Sequence, residues 1–209
     1  MVCQMGNITG GPPQTVVEEL ARRFEIKTFF ETGTFKGGTT LWAAERFSTV
    51  ITVERSEALH AAVAPHLAPC PNVVSYRGDS RVVLRDCIEN LAPAIFWLDA
   101  HWCGGETAGT EDECPLLGEL YLIGPYAGRH FIMIDDARLF LAPPPLPHKA
   151  EHWPTLDDIL GIWTNETRPH TLVFHDVILL SPRWACQAVS DLVRRYITNN
   201  AGQEGSVDA

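Results

Sequence analysis

Several things are scarce or missing from this chain, and each absence narrows what it can be. No apolar run approaches the roughly 20 residues that a membrane-spanning helix requires. Met1 to Gly11 carries neither a basic stretch nor the apolar core of a secretion signal, so no signal peptide or membrane partner is expected. Basic residues are few, 16 Lys and Arg against 26 Asp and Glu, for a formal net charge of −10, and they form no cluster. A nucleic-acid backbone is therefore not an expected partner. The six cysteines include no C-x-x-C pair. Cys87 and Cys186 fall on helical patterns, where a thiol is ordinary core material. Cys103 and Cys114 bracket a glycine-rich loop and with His101 could hold zinc, but the spacing matches no standard zinc pattern, which leaves free reduced thiols as the expectation. The G-x-G-x-x-G pattern of NAD-binding domains is absent, as is any internal repeat. What remains is an expected cytoplasmic chain whose acidity suits a small neutral or cationic ligand or a metal cation, or serves solubility alone.

Against these absences stands a chain of 209 residues, 45% hydrophobic, enough for one domain over 1–199, with a polar tail over 200–209 expected to be disordered. Near-continuous apolar runs predict strands at 27–33, 49–55, 72–78, 94–100 and 130–137, buried on both faces. Helical patterns at 14–24, 38–47, 56–68, 80–91 and 113–124 alternate with them, the βαβ rhythm of a doubly wound sheet. At the end, 171–174 and 177–180 flank His175-Asp176 as a tight hairpin, and a helix is predicted over 183–198. The proline-rich run from Pro143 leads into a loop reaching Pro154, with Thr155 as N-cap of a short helix over 156–163. Long loops of this kind after a strand's carboxyl end often cover substrate.

The most telling stretch is Phe29-Phe30-Glu31-Thr32-Gly33-Thr34-Phe35-Lys36-Gly37-Gly38-Thr39-Thr40. It reads as a buried strand stopping at a glycine turn that lets backbone approach a ligand and aims helix N–H groups at it. The next strand ends in Glu54, 21 residues after Gly33, where nucleotide-binding α/β domains keep the acid that holds ribose hydroxyls. The Glu-x-Gly-x-x-x-Gly spacing resembles the first motif of class I S-adenosylmethionine (SAM) dependent methyltransferases, and the resemblance covers about residues 27 to 182. It implies a seven-stranded, mostly parallel, Rossmann-like sheet with a C-terminal antiparallel hairpin, and SAM as cofactor. It also implies that Glu31, Gly33, Thr34, Gly37 and Thr39 lie about the methionine part, that Glu54 holds the ribose, and that Asp79 and Ser80 approach the adenine. Asp79-Ser80 would equally serve as a helix cap.

Strands four and five deliver Asp99, His101, Asp135 and Asp136 to the same rim. Carboxylates so close repel unless a cation holds them, and hard oxygen donors suit Mg²⁺. Metal-dependent small-molecule O-methyltransferases, which the chain resembles here, carry an acid after strand four and an acid pair after strand five. That resemblance implies Asp99, Asp135 and Asp136 as metal ligands, Asp99 beside the reaction and His101 as general base. A histidine bonding a loop carbonyl is the competing account of His101, and a turn cap that of Asp136. The run Leu98-Asp99-Ala100-His101-Trp102, followed by Gly104-Gly105, also looks like a bacterial subgroup of methyltransferase-like proteins. The expectation is therefore methyl transfer to an oxygen of a small-molecule acceptor, with divalent help and a possible homodimer. Metal-free N-methylation or non-methyl chemistry on SAM itself is the alternative.

Overall fold

A computed structural model of the chain describes residues 11–102 and 111–200. In chain order its elements are α1 (Gln14–Arg23), β1 (Thr28–Thr32), α2 (Gly38–Ala44), β2 (Thr49–Glu54), α3 (Glu57–Leu67), β3 (Val73–Arg77), α4 (Ser80–Cys87) and β4 (Ala94–Leu98). Then follow α5 (Leu116–Ile123), β5 (Phe131–Ile134), α6 (Arg138–Leu141), α7 (Leu156–Gly161), β6 (His170–Phe174), β7 (Val177–Ser181) and α8 (Cys186–Asn200). The strands form one seven-stranded sheet in the order β3-β2-β1-β4-β5-β7-β6. The first five are parallel, and β7 runs antiparallel to both β5 and β6. The expected doubly wound sheet closed by a hairpin is what the chain forms.

Alternation along each strand feeds two cores. Phe30, Phe96, Ile132 and Leu180 face α4 and α5, packing with Leu84 and Leu120. Phe29, Ile95, Trp97, Met133 and Leu179 face α1 and α8, packing with Val17, Leu20 and Val189. This is why the sequence shows continuous apolar runs: both sheet faces are dry. The hairpin turn is tight because His175 and Asp176 both adopt positive φ, 44° and 64°, the geometry that matches strand twist in two-residue turns.

Beside shifts at element ends, the structure adds to the sequence reading α6 and two 3₁₀ turns, Gly124–Arg129 and Ala150–His152. The helix expected over 80–91 gives way after Cys87 to a 3₁₀ turn, Ile88–Asn90. The one expected over 113–124 starts at Leu116 behind Pro115, because Glu113 is engaged elsewhere. The last helix opens as a 3₁₀ turn, Arg183–Ala185, after Pro182. The tail from 201 and the glycine-rich loop at 103–110, with Cys103, lie outside the described residues.

Candidate active site

Register decides where the site lies. Thr32 pairs with both Val53 and Leu98, Leu98 with Ile134, and Glu54 with Arg77, so the parallel strands end level with one another. Gly33, Glu54, Gly78, Asp99 and Asp135 therefore leave the sheet along one edge, where ligands bind in open α/β folds. A cleft opens there, lined by Gly33, Phe35, Glu54, Gly78, Asp79, Ser80, Asp99 and His101.

At Gly33 the fold has no alternative residue. Its φ is +87°, and a Cβ there would stand 2.2 Å from the carbonyl oxygen of Asp99. Glu54 closes the cleft's second wall; its two carboxylate oxygens accept from the backbone N–H of Phe35 at 2.9 Å and of Ser56 at 2.8 Å. Each oxygen keeps a second lone pair for a ligand hydroxyl. Asp79 caps α4, accepting from Arg81 N at 2.9 Å, and pairs with the Arg81 guanidinium at 2.6 Å. Hydrogen bonding from Arg81 holds its carboxyl below the usual range against the opposing effect of burial. Ser80 is buried at the cleft floor.

The other glycine-turn residues sit behind the cleft. Glu31 is 2% exposed and accepts from the hydroxyls of Thr40 and, at 2.7 Å, Thr52. Burial pushes its carboxyl up to about 8, despite those two hydrogen bonds. Thr34 bonds Thr52 at 2.6 Å. Gly37, at φ +77°, is the N-cap of α2, and a Cβ there would meet Val63 at 2.5 Å, so it serves helix packing. Thr39 is half-buried near Gly11, and its neighbour Thr40 is the inward residue.

At the rim, Asp99, His101, Asp135 and Asp136 do converge. His101 lies between two acids, with Nε2 2.8 Å from Asp136 Oδ2 and Nδ1 3.4 Å from Asp99 Oδ1. Burial pulls its pKa down, but the hydrogen bond to Asp136 and the charges of Asp99 and Asp136 outweigh that, and the net shift is upward. Burial raises Asp99 to about 6, with His101 opposing and Asp136 adding to the shift. Burial likewise pushes Asp135 up to about 8, helped by its two acidic neighbours. Asp136, at φ 56°, goes the other way: burial raises it, but His101 and Arg138 together hold it below the usual carboxylate range.

Four residues to which the sequence reading gave no role complete the site. Arg138 pairs with Asp136 at 2.7 Å and also with Asp176 from the hairpin turn. Glu113 is 2% exposed. It accepts from the Trp153 indole at 2.9 Å, from Lys149 N at 3.1 Å and from His148 at 3.3 Å, fastening the segment after α6 beside His101. Trp153 packs tilted against Phe140 and edge-on to His148, with its ring 5.4 Å from that of His101. Buried Glu119, pushed up to about 7 by desolvation and held back by Ser80 and Thr32, lies under the cleft. The signal for Arg138 was its place two residues beyond the acid pair.

The fit of a divalent ion can be judged on these contacts. Asp136 already accepts from the His101 ring on one oxygen and from the Arg138 guanidinium, a fixed positive charge, on the other. Among the described residues no group of three His, Cys, Asp or Glu converges as a ligand set. The side chains as placed do not fit Mg²⁺, and no step below is routed through one. Cys114 is a free, buried thiol that burial pushes up to about 12, a poor zinc ligand.

No protein-family model matches the chain, and no curated protein matches it. Solved structures do. A Staphylococcus aureus protein described as a caffeoyl-CoA O-methyltransferase superposes with a TM-score of 0.57 at 14% identity, over 84% of this chain and 86% of that one. An O-methyltransferase of Bacillus cereus in complex with S-adenosylhomocysteine (SAH) gives 0.55 at 15%, over 83% and 82%. One from Klebsiella pneumoniae gives 0.55 at 16%, over 84% and 81%. At such identities the likeness is one of architecture, and the chain has the fold of the class I SAM-dependent O-methyltransferases.

Proposed function

We propose that this chain is a SAM-dependent methyltransferase acting on a hydroxyl of a small-molecule acceptor. The observation that carries the reading is a ligand cleft floored by the Gly33–Asp99 contact and ending on an imidazole held between two carboxylates. Glu54 would hold the ribose hydroxyls, and the Gly33 turn gives backbone access on the methionine side. Asp79, whose carboxylate is already paired with Arg81, would act on the adenine side mainly through the wall it forms. SAM, when bound, supplies an electrophilic sulfonium methyl, leaving as products the methylated acceptor and SAH.

The chain's own task is the proton. Donation from His101 Nε2 to Asp136 fixes the tautomer that leaves Nδ1 as acceptor. The acceptor's hydroxyl proton passes to Nδ1 as its oxygen bonds to the methyl carbon. Asp99, 3.4 Å away, stabilises the imidazolium so formed. Much of the remaining acceleration is positioning, with the Trp153 indole packed beside His101. Among the described residues no helix is long and apolar enough to cross a membrane.

Calorimetric titration of SAH tests the reading. Saturable binding that disappears in Gly33→Ala supports it, and no nucleoside binding to the intact chain overturns it. Turnover of SAM with candidate alcohols then separates two chemistries. SAH as product marks methyl transfer, whereas methylthioadenosine would mark attack on the methionine chain.

A further inference from the structure

Asp136 is held by one donor on each of its carboxylate oxygens, an imidazole N–H and a guanidinium. Oδ2 accepts from His101 at 2.8 Å and Oδ1 from Arg138 Nη1 at 2.7 Å. Arg138 is itself fixed from the β6–β7 turn, 38 residues away in sequence: its backbone N–H donates to Asp176 Oδ1 at 2.8 Å and its guanidinium to Asp176 Oδ2. Ala137 N adds a bond to the Asp176 carbonyl at 2.8 Å, so backbone and side chain are both pinned. Asp99, Asp136 and Asp176 thus share the His101 ring and the Arg138 guanidinium, and Asp135 joins them by accepting from Asp136 N at 2.8 Å.

We propose that Arg138 is the fixed cation of this rim. It takes the charge-balancing place that a divalent ion would otherwise hold among Asp99, Asp135 and Asp136, and it positions Asp136 against His101. A guanidinium suits that role, because it is charged at every working pH and its planar fork can serve two carboxylates at once. A divalent ion drawn to these carboxylates would meet the guanidinium's positive charge a hydrogen bond away from Asp136. The bearing on catalysis rests on the methyltransferase reading; the charge balance does not.

The test uses Mn²⁺ alone as probe, followed by the electron paramagnetic resonance of the free ion, on the full chain. Wild type and Arg138→Lys are expected to show no saturable binding. Arg138→Met should gain it by a factor of about ten or more, the scale on which a neighbouring charge shifts a carboxylate. The gain should vanish when Asp135→Asn is added. Arg138→Gln, which keeps donors for Asp136 and Asp176, repeats the test should the Met variant not fold. Saturable Mn²⁺ binding by wild type that is lost in Asp135→Asn overturns the proposal. So does a folded Arg138→Gln that binds no better than wild type. SAH titration of the same samples reports separately on the methyltransferase reading, so that either can fail without the other.

Discussion

Gly33 and Asp99 touch through their backbones: a Cβ on the first would lie 2.2 Å from the carbonyl oxygen of the second. The contact joins the ends of β1 and β4, and the candidate cleft is built on it. Gly33→Ala therefore meets two penalties. One is the left-handed backbone, about 1–2 kcal/mol for a residue with a Cβ. The other is a clash with backbone that cannot rotate away. A lowered urea midpoint and loss of SAH binding are expected, and a variant with unchanged midpoint and affinity would show that the two strand ends part easily.

Glu54 offers a cleaner separation of binding from folding. Glu54→Gln keeps the shape but weakens both the loop contacts to Phe35 and Ser56 and any ligand hydroxyls held there. Hydrogen bonds to a charged group are worth about 1.5–3 kcal/mol, so SAH affinity should fall roughly tenfold to a hundredfold. Calorimetry measures the fall directly; an affinity within twofold of wild type would remove Glu54 from the ribose.

His101→Gln should bind SAH normally yet lose about a hundredfold or more in turnover, the contribution usual for a placed general base. Single-turnover methylation of whichever alcohol the screen identifies measures it. Undiminished turnover would return His101 to a purely structural part.

The pH dependence of stability follows from the buried acids. Glu31, ordinarily 4.5, is raised to about 8 by burial, so across that window the folded state holds more protons than the unfolded one. An acid shifted upward contributes less stability as pH rises. Glu119 and Asp135, raised to about 7 and about 8, act in the same sense. His101 does too: its pKa is raised above 6.5, so its contribution is full below that value and is lost as pH climbs through the folded value. Thermal unfolding should therefore occur at a higher temperature near pH 6 than near pH 8.5, and Glu31→Gln should flatten the difference. A midpoint that rises across this range would contradict the buried placement of these groups.

Much of this was legible before any coordinates. Continuous apolar runs announce strands dry on both faces, and parallel register then forces Gly33, Glu54, Asp99 and Asp135 to one edge. Asp99, His101 and Asp136 meet for that reason. What sequence could not show depends on phase and on distant pairing. Thr39 and Thr40 differ by one helical position, and only the second points inward to Glu31. Glu31 itself lies one residue from the strand's end, far enough to be covered by α2. Arg138 gains its meaning from Asp176, which only the antiparallel return of β7 brings beside it. Nothing local to Glu113 says that Trp153 will fold over it.

That burial makes Glu113 the most exacting of the side chains outside the cleft. Its carboxylate answers three donors at once, the indole of Trp153, the backbone of Lys149 and the ring of His148, while its own carbonyl accepts from Trp102 N at 2.7 Å. Two segments that flank His101, one following β4 and the other following α6, are joined through this one residue. Glu113→Ala leaves those donors buried without an acceptor, at about 1–3 kcal/mol each if they stay buried. The cheaper response is for the 148–153 segment to lift, admitting water to the donors. Red-shifted tryptophan emission and faster amide exchange over 148–153 are expected, with the sheet's protection unchanged and SAH affinity little altered, since the cleft residues do not move. Turnover should fall more than SAH binding, because the cover packed beside His101 would be lost. Exchange that rises across the whole sheet instead would mean that Glu113 supports the fold at large and not this cover.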